Sequence, residues 1–165
     1  MSFENIVLVV AGTLSGLLSG VFYAFNVAIV PALRSIKGTQ HIAAMQAINI
    51  KIKNPIFLLS FFGPTILLPW AATLHRGGAQ VALIVAAMLH IFGANGVTIA
   101  GNIPLNNVLE KIDANALSDA EAERIRQEFQ GRGSRWMRLH SIRTLASTAA
   151  TVLVFIVCLS ENLSD

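Results

Sequence analysis

Apolar residues run without a charged interruption over 6–30, Pro55–Leu74, 79–99 and 144–159. A helix needs roughly 20 apolar residues to cross a hydrocarbon core about 30 Å thick, so the first three runs suffice by themselves. The fourth is a little short, but Leu139 and Ile142 extend it and Arg143 can snorkel toward the headgroups. The pattern predicts four spans at 6–30, 55–74, 79–101 and 140–159 in a single membrane domain covering 1–165. The expected fold class is all-α, a four-transmembrane-helix bundle with short helical cytoplasmic connections.

Both connections carry helical signals of their own. Ile42, Met45, Ile48 and Ile52 recur at helical spacing over 39–53, with Thr39 as the expected cap. Ser118-Asp119-Ala120-Glu121 reads as a capping box opening a polar helix that Gly131 or Gly133 ends. Within the spans, Gly12, Gly16 and Gly20 make a ridge that lets a second helix approach closely. Packing inside the bundle is its ordinary use, and a homo-oligomer seam the alternative. Pro64 and Pro69 are expected to bend or loosen the second span. The single Cys158 reads as a packing residue.

Composition sharpens this picture. The 165 residues are 54% hydrophobic and 13% charged, with a mean hydropathy of +0.63, against about 25% charged residues in a soluble domain. Too few polar side chains remain to cover a water-soluble globule, and the chain is too apolar for disorder. The net charge of +3 does not indicate nucleic acid, because the cations flank the spans. Every Lys and Arg except Arg76 falls within 31–54 or 102–143. By the positive-inside rule the loops 31–54 and 102–139 are cytoplasmic and both termini, with Glu4, Glu161 and Asp165, are non-cytoplasmic. The reading is a multi-pass protein of the cell (inner) membrane, with the lipid bilayer as its first partner. The first span lacks a basic n-region and exceeds a usual signal-peptide core, so it is read as retained.

No phosphate loop, dinucleotide fingerprint or zinc motif occurs. Instead, uncharged polar residues are unevenly placed. Asn95, Thr98, Asn102 and Asn106 fall at helical spacing, and unpaired amides are costly in hydrocarbon, so this stripe must face protein or a wet cavity. A helix break at Pro104 would end the stripe at Asn102 and leave Asn106 and Asn107 in a loop. His90 is expected to point away from Asn95, as a hydrogen-bonded core histidine. Trp136, His140 and Arg143 share one face at the entry to span four, either as an interfacial anchor or as a base beside a fixed cation. His41, Met45 and Asn49 repeat the spacing, where a solvated face is the plain reading. By depth, Asn26, Asn49, Asn54, Asn102, Asn106, His140 and Arg143 gather at one end, which a single polar pocket explains.

Several segments carry a family resemblance. They are the glycine-rich first span leading into Val30-Pro31-Ala32-Leu33, then Ala44-Met45-Gln46-Ala47-Ile48-Asn49, Ile103-Pro104-Leu105-Asn106-Asn107, and Trp136 followed by His140-Ser141-Ile142-Arg143-Thr144. In this order the chain resembles the anthrone oxygenase family, which groups fungal polyketide-pathway oxygenases with small bacterial membrane proteins. Many members carry Asn at the His140 position, where this chain departs. The resemblance implies cofactor-independent oxidation of an anthrone-like hydroxyaromatic, with dioxygen as co-substrate and no metal. It implies His140 or His41 as base, Arg143 with Asn102, Asn106 or Asn107 as the oxyanion site, Asn49 in the pocket, and Trp136 stacked on the ring. Two other classes stay open: a non-catalytic binding or transport-like protein for a small amphipathic ligand, and a metal or haem four-helix protein using His41, His90 and His140, whose spacings match no standard site.

Overall fold

The computed structural model describes residues 2–162; Asp165 falls outside the described residues, and so does the side chain of Glu161. Among the described residues six long helices follow in order: α1 (Phe3–Arg34), α2 (Gly38–Lys51), α3 (Pro55–Leu74), α4 (Gly77–Glu110), α5 (Asp119–Gln130) and α6 (Arg135–Asn162), with a short 3-10 turn at Ala114–Ala116. α1, α3, α4 and α6 contain the four apolar stretches long enough to cross a membrane. They pack in cyclic order, α1 on α3, α3 on α4, α4 on α6 and α6 back on α1. α2 and α5 pack on each other as a cap over one end.

Local chemistry sets the helix ends. The Asn54 side chain accepts from the Phe57 amide at 3.0 Å and Pro55 follows, which starts α3. Ser118 and Glu121 form the expected capping box of α5, and that helix stops at Gly131. Thr39 does not cap α2. The helix begins one residue earlier, at Gly38, with Lys37 in the cap position and no side-chain cap bond. A Cβ at Gly38 would lie 2.6 Å from the Ala122 backbone, so close approach of α2 and α5 fixes this start.

One core joins all four spans at the end away from the cap, built from Leu8, Ala11, Leu68, Leu83, Ala86, Ala150 and Val154 among others. A second core, including Phe25, Val30, Ile42, Met45, Leu109, Ala122 and Trp136, ties the cap to the bundle. The glycine ridge is used inside the chain. A Cβ on Gly12 would meet Val154 of α6 at 2.9 Å and one on Gly16 would meet Thr151 at 3.7 Å, while Gly20 has no such neighbour within 4 Å. Ser15 with Thr151 at 3.0 Å and Ser19 with Thr148 at 2.8 Å stitch the same seam. The homo-oligomer seam is therefore closed at Gly12 and Gly16, which α6 already covers.

Pro104 does not break α4, nor does Pro31 break α1. Each follows a π-helical turn by two residues, Phe25–Ile29 before Pro31 and Thr98–Asn102 before Pro104. Proline lacks the donor for the carbonyl four residues back and crowds it. A wider turn just before relieves both problems, and such turns are often found at functional sites. Asn106 and Asn107 consequently stay helical. α3 also runs unbroken through Pro64 and Pro69.

Candidate functional site

A cavity of about 260 Å³ lies where α1, α3, α4 and α6 meet the cap, lined by α1, α2, α3, α4 and α6. Its walls are mostly apolar: Phe22, Phe25, Met45, Phe57, Phe61 and Ile99 contribute, and Trp136 closes one side. The polar lining consists of Asn49, Lys53, Thr98, Asn106, Asn107, Glu110 and Arg143.

Arg143 is 8% exposed and lies with its guanidinium carbon 4.3 Å from the centre of the Phe22 ring and 5.6 Å from that of Trp136. Its Nε donates to His140 Nδ1 at 2.9 Å and its Nη1 donates to Thr98 Oγ1 at 3.2 Å. A guanidinium can only donate, so Nδ1 of His140 is the acceptor and the ring proton sits on Nε2. That proton is donated to the Phe22 carbonyl at 3.1 Å. His140 is fully buried, stacked on Trp136 with ring centres 4.8 Å apart, with Phe22 and Phe25 at its edges. Both ring nitrogens are committed, and the side chain stands behind Arg143 rather than in the cavity wall. No carboxylate pairs with Arg143 among the described residues.

The asparagine stripe divides between two neighbours. Asn95 donates to the Phe61 carbonyl and to Thr65, each at 2.8 Å, which binds α4 to α3. Asn102 donates to the Trp136 carbonyl at 3.1 Å, and Asn106 accepts from Trp136 Nε1 at 2.7 Å, which binds α4 to α6. His90 shares the Phe61 carbonyl with Asn95, its Nε2 lying 3.1 Å away. The expectation that His90 faces elsewhere fails because Leu89–Gly96 is π-helical, and at that winding residues five apart fall close to one face.

Asn49, Asn106, Asn107, Trp136 and Arg143 thus meet at one cavity, and Asn102 braces its wall. Asn49 is 7% exposed and its Nδ2 has no hydrogen-bond partner. Asn54 is spent on the α3 cap, and Asn26 donates to Thr144 at 2.9 Å. Sequence reasoning missed Glu110 and Lys53, which form an ion pair of 3.5 Å at the cavity mouth. Glu110 continues the four-residue spacing of Asn102 and Asn106, a signal visible once the helix is carried through Pro104.

His41 is buried in the cap, away from this lining, with Nδ1 3.0 Å from the Leu33 carbonyl. The carbonyl makes Nδ1 the donor. Nε2 has no hydrogen-bond partner; Gln130 acts on the ring without reaching hydrogen-bond length. Burial lowers the His41 pKa below its ordinary 6.5, and the positive charges of Arg126 and Arg34 push the same way. The unfolded chain therefore takes up a proton that the folded chain refuses. Stability is expected to be fully present above about pH 6.5 and to fall as the pH drops through that value. Thermal unfolding from pH 8 to pH 5 checks this, and His41→Gln should flatten the acid side of the profile.

The sequence profile of the anthrone oxygenase family matches residues 45–153. The chain belongs to the anthrone oxygenase family. The match begins at Met45 in the cavity wall and includes α3, α4, α5 and most of α6. No curated protein and no solved structure matches the chain. Within the family frame, the matched region contains all the polar side chains that line the cavity, while Phe22 and Phe25 come from the helix that precedes it.

Proposed function

We propose that the chain is a cofactor-independent oxygenase that binds a flat hydroxyaromatic in the Arg143 cavity and oxidises it with dioxygen. The observation that carries this reading is the buried guanidinium without a carboxylate on the wall of an apolar cavity. Burying an unpaired charge costs several kcal/mol, a cost offset when the occupant brings, or develops, a negative charge. An enolate or phenolate oxygen meets that need, and the aromatic lining suits the ring that bears it.

In this mechanism an anthrone lies against Trp136 with its carbonyl oxygen toward Arg143. The methylene proton is removed, and Arg143, with Asn49 as a further donor, stabilises the enolate as charge develops. Glu110, the one carboxylate among the described lining residues, takes the proton and returns it to solvent, to which its side chain is partly exposed, while the Lys53 ammonium stabilises its charged form. The carbanion carbon gives its electrons to dioxygen and forms a C–O bond. The resulting peroxide takes up a proton and loses water to leave the second ring carbonyl. One anthrone and one dioxygen thus yield one quinone and one water. His140 acts in this scheme as a positioning residue for Arg143, and His41 as part of the cap. Leu58, Phe62, Ile99 and Ile103 line the cavity yet are exposed on the outer surface between α3 and α4, which suits a substrate dissolved in the bilayer.

The test is oxygen uptake by purified protein in detergent with anthrone and related hydroxyaromatics. Uptake above buffer autoxidation, stoichiometric with quinone formed, is expected. Uptake no faster than buffer across the panel would contradict the oxygenase reading.

A further inference from the structure

A second cavity, of about 400 Å³, lies between the end of α1 and the end of α5, away from the Arg143 site. Arg34, Arg126 and Arg132 line it together with Gln127, Gln130 and Gly131, and among the described residues no carboxylate does. Arg34 spends Nε, at 2.8 Å, and Nη2 on the Gln130 carbonyl, leaving Nη1 uncommitted. Arg126 donates Nη1 to the Arg34 carbonyl at 2.6 Å and pairs with Glu123 through its other nitrogens. Arg132 has no hydrogen bond or ion pair with a described residue. Gln130 is fully buried, and its side-chain amide lies toward the His41 ring without reaching hydrogen-bond length.

Three guanidinium groups answered by one carboxylate leave a surplus of two positive charges around a cavity. Arg34 feels the repulsion of both Arg126 and Arg132. A fold does not gain by gathering like charges around space; that cost is relieved by an anion. The guanidinium fork matches the paired oxygens of a phosphoryl group, and a phosphate ester carries about −1.5 to −2 charge at neutral pH. Arg34 ends a membrane-spanning helix, so the site lies at the depth where lipid headgroups meet water.

We propose that this cavity binds a phosphate-bearing anion, held by Arg34, Arg126 and Arg132. Lipid headgroup and soluble phosphate share this chemistry, and the test separates them. The full chain in detergent is unfolded thermally with inorganic phosphate against chloride at equal ionic strength, and with dioctanoyl phosphatidylglycerol against dioctanoylglycerol.

A saturable rise in midpoint in at least one phosphate arm is expected. A rise with inorganic phosphate assigns a soluble ligand, and a rise with phosphatidylglycerol alone assigns a headgroup. Arg132→Ala removes an exposed side chain without a bonded partner, so its fold is secure; it should raise the half-saturating concentration about tenfold or more. Arg124→Ala, on α5 where the side chain pairs with Glu128, should leave the response intact. The proposal is overturned if neither phosphate arm exceeds its control, or if Arg132→Ala responds as the wild type does.

Discussion

Replacing Arg143 with methionine is expected to lower kcat/KM for an anthrone about 100- to 1,000-fold, the loss typical of one oxyanion donor, while leaving the unfolding midpoint unchanged or higher. Ordinarily a buried residue with two side-chain hydrogen bonds loses stability when removed. Here the residue is an unpaired cation, and replacing buried ionic groups with apolar side chains of similar volume is often neutral or stabilising by about 1–4 kcal/mol. Against that stands the loss of its bonds to His140 and Thr98, which leaves His140 Nδ1 without a donor at a cost of about 1–3 kcal/mol. Thr98 keeps a partner, because its hydroxyl donates to the Ala94 carbonyl at 2.7 Å. Activity lost with stability retained marks a group kept for its occupant. Steady-state oxygen uptake and thermal unfolding on the same preparation distinguish this from simple misfolding.

His140→Leu is expected to cost about 10- to 100-fold in kcat/KM, because an arginine released from its orienting partner is displaced from the geometry its ligand needs. His140→Asn should retain activity within about tenfold of wild type, since an amide oxygen can still accept from Arg143 Nε. A base role predicts the opposite, since asparagine takes up no proton and would fail as badly as leucine. The pH profile adds a second readout: with His140 as a positioning residue, the acid limb of kcat should keep its midpoint in the asparagine variant.

The spans were legible because hydrocarbon tolerates so few charges. The runs over 6–30 and 79–101 lie within helices that extend to Arg34 and Glu110, past the apolar limit and into the cap, where hydropathy gives no signal. The Ser118–Glu121 box was legible because its bonds are local. The start of α2 was not, since Gly38 is fixed by a backbone that lies far away in sequence. The polar pocket followed from depth alone, and Trp136, His140 and Arg143 do meet as their spacing implies. What spacing concealed was winding: π-helical turns turned His90 onto the face of Asn95 and let α4 run through Pro104 to present Glu110. Nor does a one-dimensional pattern mark Phe22, an apolar residue whose carbonyl orders His140 and whose ring covers Arg143.

Arg143 is proposed to await an anion in an apolar cavity, and a coloured ligand reads this without turnover. A hydroxyanthraquinone changes absorption when its phenol ionises, so its titration can be followed while bound to the protein in detergent. A charge-assisted hydrogen bond of about 1.5–3 kcal/mol should lower the bound pigment's pKa by about 1–2 units relative to the same pigment in empty micelles, and Arg143→Met should abolish the shift. A bound pigment that ionises at or above its micellar value in the wild type, or equally in both proteins, would contradict the account.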